Sequence, residues 1–370
     1  MTIDWFLPGT NSGGPVRSYA NMISHLEDDF EFYVITRDTD YCSDRPYDTI
    51  NPNTWNKIDP NTNVYYFSNT QLNIPNLKKI INEVDAEILM VNGIYSWYFS
   101  ILPVLLYSKK RKIIVSARGM LNPQAFLTRA KRKLFFLQFA NKLKFYKNVS
   151  FHATNEIEKN YIANRIKTFS EIKVASNLPR KITQRQFSKT KKGKPVRFVS
   201  LGRISPEKGL LRALRYLEHI DSEIIFDIFG PIYHDSYWQE CKKLIDRLPK
   251  NISIEYKGII DSDEVLKTLS NYDFFMFFTE GENFGHVILE SFSAGLPVII
   301  SNKTPWQDLK KINVGWALNV DDEVEVLSTI KEAISMANET YLKMSQSAKA
   351  FAIEFSSNPE LIKQNKNLFI

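Results

Sequence analysis

Residues 272–301 read YDFFMFFTEGENFGHVILESFSAGLPVIIS, and this stretch decides the fold. Residues 274–278 are a short uninterrupted apolar run, the pattern of a strand buried on both faces. Thr279-Glu280-Gly281-Glu282-Asn283 is a polar, glycine-bearing turn. The pattern then predicts a helix from near Phe284-Gly285. Val287, Ile288 and Phe292 would form its apolar face, Gly295 its cap and Pro297 its stop. Val298-Ile299-Ile300 is the next strand. Strand, helix and strand in so short a stretch make a parallel βαβ unit. Its first loop lies at the carboxyl end of a strand, where open α/β sheets bind ligands.

Two carboxylates are spaced along that loop and helix. Glu282 just precedes the helix, and Glu290 lies about five helical residues in, roughly 7 Å along the axis. Between them the free N–H groups of the first turn, at Asn283, Phe284 and Gly285, form an anion site. One carboxylate on each side of a phosphate site suits a ligand with hydroxyls on both sides of a diphosphate. A nucleotide-sugar is such a ligand. The pattern Glu282-x7-Glu290, with Phe284-Gly285 inside it and Ala294-Gly295-Leu296-Pro297-Val298 after it, resembles the signature of the retaining glycosyltransferases of family 4, which have the GT-B fold.

A second constellation stands earlier. Residues 196–201 read as a buried strand, followed by Gly202-Arg203-Ile204-Ser205-Pro206-Glu207-Lys208-Gly209 and a helix over 210–218. Arg offers phosphate oxygens a rigid fork and Lys a point charge. Gly202-Arg203 with Glu207-Lys208-Gly209 is similar to the second signature of the same family, in which the Arg and Lys hold the diphosphate. Strands over 224–229 and 252–257 end at Gly230 and Gly258. The resemblance implies that the backbone after the second of these, at Ile259 or Ile260, meets the nucleotide base. A strand over 315–318, a helix over 324–336 and a helical tail over 341–370, broken near 356–359, complete this half.

The first half reads less sharply. Strands are expected at 3–7, 32–36, 64–67, 88–91, 112–116, 150–153 and 172–175, with a helix at 16–26. The turn before that helix contains Gly13-Gly14, which lets backbone approach a phosphate or sugar closely. The resemblance assigns these two glycines to the donor phosphates and the acceptor. It also places a histidine of many family members near Ser116-Ala117-Arg118-Gly119-Met120, where this chain has Arg118, so no histidine role carries over. His152 fits a hydrogen-bonded structural residue as well as a catalytic one. Residues 88–108 hold no charge, but Asn92-Gly93, Ser96 and Pro103 interrupt them, so strand, loop and core helix are expected rather than a membrane span. Asp38-Thr39-Asp40 and Asp261-Ser262-Asp263 both match a short metal-binding pattern. A pattern met twice carries little information, and the second copy reads more simply as a helix N-cap.

The whole-chain composition is that of an ordinary globular protein of 370 residues, 44% apolar and 24% charged. Two distant cysteines, Cys42 and Cys241, imply a reducing compartment, and the opening MTIDWFLPG lacks the regions of a signal peptide. The net charge is +7, yet residues 88–155 contain no Asp or Glu and twelve Lys or Arg. Seven of these cations, among them Lys131, Arg132 and Lys133, fall in residues 128–147 together with Leu134, Phe135, Leu137, Phe139, Leu143 and Phe145. A basic helix with large apolar residues can lie in a membrane interface.

The reading is therefore an α/β chain of the GT-B class, two Rossmann-like domains facing across a cleft. Residues 1–180 form the acceptor-binding domain, 181–194 the linker and 195–350 the nucleotide-sugar domain; a C-terminal helix in 351–370 returns to the first domain. The implied function is metal-independent transfer of a sugar, of hexosyl type, with retention, from a UDP-linked donor. The acceptor is a lipid-linked saccharide of bacterial surface polysaccharide (capsule, O-antigen or exopolysaccharide), and the protein lies at the inner face of the plasma membrane. No cofactor and no nucleic acid are expected. Glu282, Arg203 and Lys208 are the catalytic candidates. Gly13, Gly14, Gly202, Ile259, Asn283, Phe284, Gly285 and Glu290 are the donor-binding candidates, and Arg118, Lys131, Arg132 and Lys133 mark the acceptor or membrane side. Two other readings remain: a nicotinamide oxidoreductase, which lacks its G-x-G-x-x-G fingerprint here, and a non-enzymatic polyanion-binding protein, which leaves the paired Glu and Arg–Lys constellations unexplained.

Overall fold

A computed structural model of the chain describes residues 1–126, 129–181 and 195–370. Two units are present: Met1–Lys181 with Asn358–Ile370, and Ile182–Ser357. All of the expected linker except Lys181 lies outside the described residues, as does Thr128 at the start of the basic stretch.

The first unit runs α1 (Gly14–Leu26), β1 (Phe32–Arg37), β2 (Trp55–Asp59), β3 (Thr62–Phe67), α2 (Ile74–Glu83), β4 (Ile88–Asn92), α3 (Leu102–Tyr107), β5 (Lys112–Ser116), α4 (Ala130–Lys142), β6 (Val149–Ala153), α5 (Glu156–Arg165) and β7 (Glu171–Val174). Its strands form two sheets, β1-β3-β2 and β4-β5-β6-β7, parallel except for β2 against β3. The strand expected at 3–7 is not formed. Thr2 instead makes single parallel bridges to Ile35 and to Val91, so the opening residues join the two sheets. Backbone bonding to β1 runs on to the Asp4 carbonyl, which accepts the Arg37 N–H at 3.3 Å, and Trp5 then meets Tyr41 edge-on, ring centroids 4.6 Å apart. Residues 88–108 fold as strand β4, one turn of π-helix (Trp97–Ile101) and α3. Ser96 opens that turn by accepting the Phe99 N–H. Among the described residues no helix is long and apolar enough to cross a membrane.

The second unit runs β8 (Val196–Leu201), α6 (Leu210–Leu217), β9 (Ile224–Phe229), α7 (Asp235–Ile245), β10 (Ile252–Gly258), α8 (Val265–Leu269), β11 (Phe274–Phe277), α9 (His286–Ser293), β12 (Val298–Ser301), β13 (Gly315–Leu318), α10 (Glu323–Ser335) and α11 (Asn338–Ser356). Its one sheet has the order β10-β9-β8-β11-β12-β13 and every pairing is parallel. The order reverses between β8 and β11, which are neighbours in space but distant in sequence. Crossover helices cover parallel strands on both faces, and each such strand reads as a continuous apolar run. Phe274, Phe275 and Met276 of β11 accordingly have no exposed surface.

Two sequence expectations need correction here. Val287 is only partly buried, and Leu289 and Ser291 join Ile288 and Phe292 on the inner face of α9. Asp261 and Asp263 do not cap α8. Its cap position is Glu264, with no side-chain bond, because the Glu264 N–H folds back on the Asp261 carbonyl and a turn intervenes. The chain ends with α12 (Pro359–Lys366), which belongs to the first unit; α11, which runs on to Ser356, belongs to the second.

Candidate active site

The carboxyl ends of β8 and β11 lie side by side, since Phe198 and Val199 pair with Phe274 and Phe275. Their loops are stitched together. The Glu280 N–H donates to the Glu207 carbonyl at 2.8 Å, and the Thr279 hydroxyl donates to the same carbonyl at 3.0 Å. Glycines make this closeness possible. Gly209 has φ +71°, and a Cβ there would sit 1.9 Å from the Phe278 carbonyl oxygen; at Gly230 (φ +130°) it would sit 2.0 Å from the Gly202 carbonyl. A side chain at Gly209 would push the β8 and β11 ends apart, and one at Gly230 would do the same to β8 and β9.

Across this junction the sequence candidates meet. Lys208 donates to the Glu282 carboxylate, and its ammonium also lies 5.6 Å from the Phe277 ring centre. Arg203 stacks on Tyr233 at 4.8 Å and stands 3.9 Å from Glu207. Gly202, Arg203, Ile204, Lys208 and Phe277 line one small recess. Gly285 follows as the cap of α9 with φ +76°, and no side chain caps the helix. Its position is close to Glu282, whose Cγ is 3.6 Å from where a Gly285 Cβ would be. The first turn of α9, which no side chain caps, one guanidinium and one ammonium thus share the end of the sheet with a carboxylate. That arrangement can hold a dianionic group while a carboxylate orders a neighbouring hydroxyl.

Other candidates are placed differently. Phe284 is buried, ringed by His286, Trp306 and Phe355, and its carbonyl accepts the Trp306 indole N–H. Its side chain belongs to the core. Glu290 is half-buried on α9, and Ile259 is exposed at the end of β10, just after Gly258 with φ +81°. A cluster that the sequence did not single out supports the loop: Glu280 bonds Arg212 at 2.6 Å and Lys303 at 2.8 Å, and both cations reach Asp321 at 3.3 and 3.6 Å. Lys303 further accepts the Glu282 N–H on its carbonyl at 3.2 Å. Four charges scattered over a hundred residues give no local signal.

In the first unit, Gly13 has φ +74°, and neither Gly13 nor Gly14 has any atom within 4 Å of a built Cβ. Packing does not demand glycine at Gly14, so its bare backbone stays open to a ligand. Asp40 holds this turn by accepting from the N–H groups of Thr10 and Asn11 at 2.9 and 3.1 Å. The Asp-Thr-Asp stretch therefore has a structural task. Arg118, with φ +51°, lays its guanidinium over Tyr19 at 4.8 Å and donates to Asn177. The buried Glu158 pins the adjoining Gly119 N–H at 2.6 Å and the Thr154 N–H at 2.7 Å. His152 is fully buried. Its Nε2 must donate to the Ala175 carbonyl at 2.8 Å, so Nδ1 accepts from the Ser116 hydroxyl at 2.8 Å. Burial, and then the Arg118 charge, push its pKa down to about 3. It is a neutral structural histidine.

On α4, Leu137 and Ala140 face the core, while Leu134, Phe135, Phe139 and Leu143 are exposed, Phe135 by 71%. Lys131 and Arg132 are exposed as well. Lys133 is not free in the same sense, since it donates to the Ala125 carbonyl and lies 5.7 Å from the Tyr95 ring centre.

The two α/β units and the junction of two cations, a carboxylate and a helix start describe a protein built to hold an anionic group, and comparison with known proteins narrows the class. Residues 181–351 match the family model of the glycosyl transferases group 1. The matched stretch falls almost wholly in the second unit, and the fold of the chain is GT-B, with two Rossmann-like domains. Similar solved structures include sucrose-phosphate synthase from Thermosynechococcus elongatus (15% identity, 96% of this chain and 93% of that one, TM-score 0.69). HepE from Anabaena, solved with UDP-glucose, matches at 15% identity over 98% of both chains with TM-score 0.69. WaaG, a glycosyltransferase involved in lipopolysaccharide biosynthesis, matches at 12% identity over 99% of this chain and 97% of that one, TM-score 0.65. No curated protein sequence matches the chain.

Proposed function

We propose that the protein transfers a hexosyl unit from a UDP-sugar to a hydroxyl of a lipid-linked saccharide, with retention of anomeric configuration and without a divalent metal, in the building of a bacterial surface polysaccharide. The observation that carries this reading is the meeting of Arg203, Lys208, Glu282 and the uncapped start of α9 at the β8–β11 junction. In such a transfer negative charge grows on the leaving diphosphate. Arg203, Lys208 and the N–H groups after Gly285 would stabilise it, which is the task a metal performs elsewhere. Glu282 would hold hydroxyls of the transferred sugar and aim its anomeric carbon. Glu290 would take the ribose hydroxyls, and backbone at Ile259 the base. The leaving phosphate would receive the acceptor proton, so no side chain is needed as a base. The open Gly13-Gly14 turn would face the donor phosphates and the acceptor, and the Arg118 loop would serve the acceptor.

The membrane side of the reading rests on α4. Leu134, Phe135, Phe139 and Leu143 are exposed among Lys131, Arg132, Lys142 and Lys144, in a span without acids. Such a face suits an anionic bilayer, where each basic residue near the surface contributes about 1 kcal/mol. A neighbour solved with UDP-glucose and another of lipopolysaccharide biosynthesis favour the donor and acceptor classes. A thermal-shift screen across nucleotide-sugars tests the donor, because a ligand that binds only the folded state raises its melting temperature. Tm is expected to rise with UDP and at least one UDP-sugar, and that donor to release UDP as its sugar passes to a hydroxyl on incubation with acceptor extracts. A rise with NADH and none with any nucleotide-sugar would overturn the reading.

A further inference from the structure

The loop after β12 holds the loop after β11 at three alternate residues. The Lys303 ammonium donates to the Glu280 carboxylate at 2.8 Å, the Lys303 carbonyl accepts the Glu282 N–H at 3.2 Å, and the Trp306 indole N–H donates to the Phe284 carbonyl. The Lys303 side chain is 35% exposed, so its ion pair competes with water. The third bond is sheltered. Trp306 is only 6% exposed, and its ring meets those of Phe284, Phe292, Phe351 and Phe355 with centroids 5.2 to 6.0 Å apart. Its backbone N–H donates to the Thr304 hydroxyl at 3.3 Å. Packed against four rings and tied at the backbone, the indole is held in one orientation.

That orientation reaches the head of α9 through one peptide unit. The Phe284 carbonyl and the Gly285 N–H belong to the same unit, which is trans. In a planar trans unit the two groups point in opposite directions. Drawing the carbonyl onto Trp306 therefore turns the Gly285 N–H away from the aromatic cluster. Gly285 is the cap residue of α9, and Glu282 lies just before it, its Cγ 3.6 Å from a built Gly285 Cβ. Any large aromatic side chain could fill the cluster, but the indole alone adds this donor. A phenylalanine at 306 would pack there and leave the carbonyl of the buried Phe284 without it.

We propose that Trp306 is a positioning residue for the transfer: its indole N–H sets the peptide plane at the head of α9, and with it the Gly285 N–H offered to the leaving diphosphate and the placement of Glu282. The inference rests on the glycosyltransferase reading and deepens it, because Trp306 acts through the Phe284 carbonyl rather than on the donor itself. A displaced first turn would weaken phosphate binding and misalign the sugar together.

The test compares Trp306→Phe, which keeps an aromatic ring and loses the N–H, with Phe351→Leu, which trims the same cluster and leaves the bond. Amide exchange over residues 282–288, UDP affinity by calorimetry, and kcat and KM for UDP release are measured on both. Trp306→Phe is expected to speed exchange over 282–288, to weaken UDP about 10-fold, as the loss of one hydrogen bond would, and to lower kcat about 10-fold or more. Phe351→Leu is expected to lower Tm and leave exchange over 282–288, UDP affinity and kcat unchanged. Equal changes in the two variants would show that Trp306 serves packing alone, and would overturn the proposal. So would unaltered exchange and UDP affinity in Trp306→Phe. If the parent protein binds neither UDP nor any UDP-sugar, the donor reading fails and the transfer role with it. Faster exchange confined to Trp306→Phe would still support Trp306 as the group that sets the turn.

Discussion

Replacing Lys208 by alanine separates the two tasks its ammonium could have. Lys208 and Glu282 are ion-paired, with side chains only 17% and 16% exposed, so the charge acts in a partly desolvated place. If Lys208 serves the leaving diphosphate, its loss removes one preorganised charge from the transition state. Loss of one such group costs about 100- to 1,000-fold in rate, or about 2.7–4 kcal/mol. The variant also leaves the Glu282 carboxylate unbalanced beside the phosphates, so at least about 100-fold is expected. The assay is initial-rate UDP release with the donor found by thermal shift, on Lys208→Ala, Glu282→Ala and the double variant. A diphosphate role predicts a double variant no faster than either single. If Lys208 merely neutralises Glu282, removing both should restore the rate of Glu282→Ala alone from a lower Lys208→Ala value. That recovery, or a near-normal kcat/KM in well-folded Lys208→Ala, would refute the assignment.

The two glutamates should divide kinetically: Glu282→Ala should lower kcat, and Glu290→Ala should chiefly weaken UDP binding, measured by calorimetry. Unchanged UDP affinity in Glu290→Ala would end its ribose role. Transfer should persist in excess EDTA; complete loss restored by Mn²⁺ or Mg²⁺ would contradict the metal-free scheme. The protein should sediment with phosphatidylglycerol vesicles but not with phosphatidylcholine, and less as salt rises. Phe135→Ser with Phe139→Ser, or Lys131→Glu with Arg132→Glu, should abolish this while Tm holds, and equal recovery in the supernatant with both lipids would rule docking out. His152 is neutral when folded, with its pKa lowered from 6.5 to about 3. Only the unfolded chain takes up its proton between those values. Its contribution is therefore fully present above pH 6.5 and lost as pH falls toward 3, at about 1.4 kcal/mol per pH unit. His152→Asn should flatten the loss of stability between pH 6.5 and 5, and an identical slope in both proteins would contradict the buried-neutral assignment.

The second unit was the more legible in sequence for a physical reason. Most of its strands are buried apolar runs, and β8, β9 and β10 reach glycines at their ends, so 196–201, 224–229 and 315–318 read directly as β8, β9 and β13. The first unit mixes exposed and internal pieces. β2, Trp55-Asn56-Lys57-Ile58-Asp59, is a polar antiparallel edge with no alternation to betray it. The Thr2 segment pairs through one residue, too short for any pattern. In the candidate site, Arg203, Lys208 and Glu282 stood out because each lies at a strand-to-helix turn. Arg212, Glu280, Lys303 and Asp321 come together only through tertiary structure, and the same holds for Glu158 beneath the Arg118 loop. Lys133 reads in sequence as one more surface cation, and only the folded chain gives it the Ala125 carbonyl as a partner.

The return of α12 to the first unit has a consequence for protein engineering. Asn365 donates to the Ser176 carbonyl at 2.8 Å, Lys366 pairs with Asp29 at 2.7 Å, Leu368 is buried, and Phe369 packs at a tilt against Phe30, ring centroids 5.2 Å apart. A fragment cut at residue 181 would bare that apolar seat and invite aggregation. Chimeras that exchange one unit for a relative's should therefore be spliced at two points, near 181 and near 357, carrying the last thirteen residues with the first unit. Donor-swapped libraries built with a single crossover would mismatch this seam, and their failures would report on the splice rather than on sugar specificity.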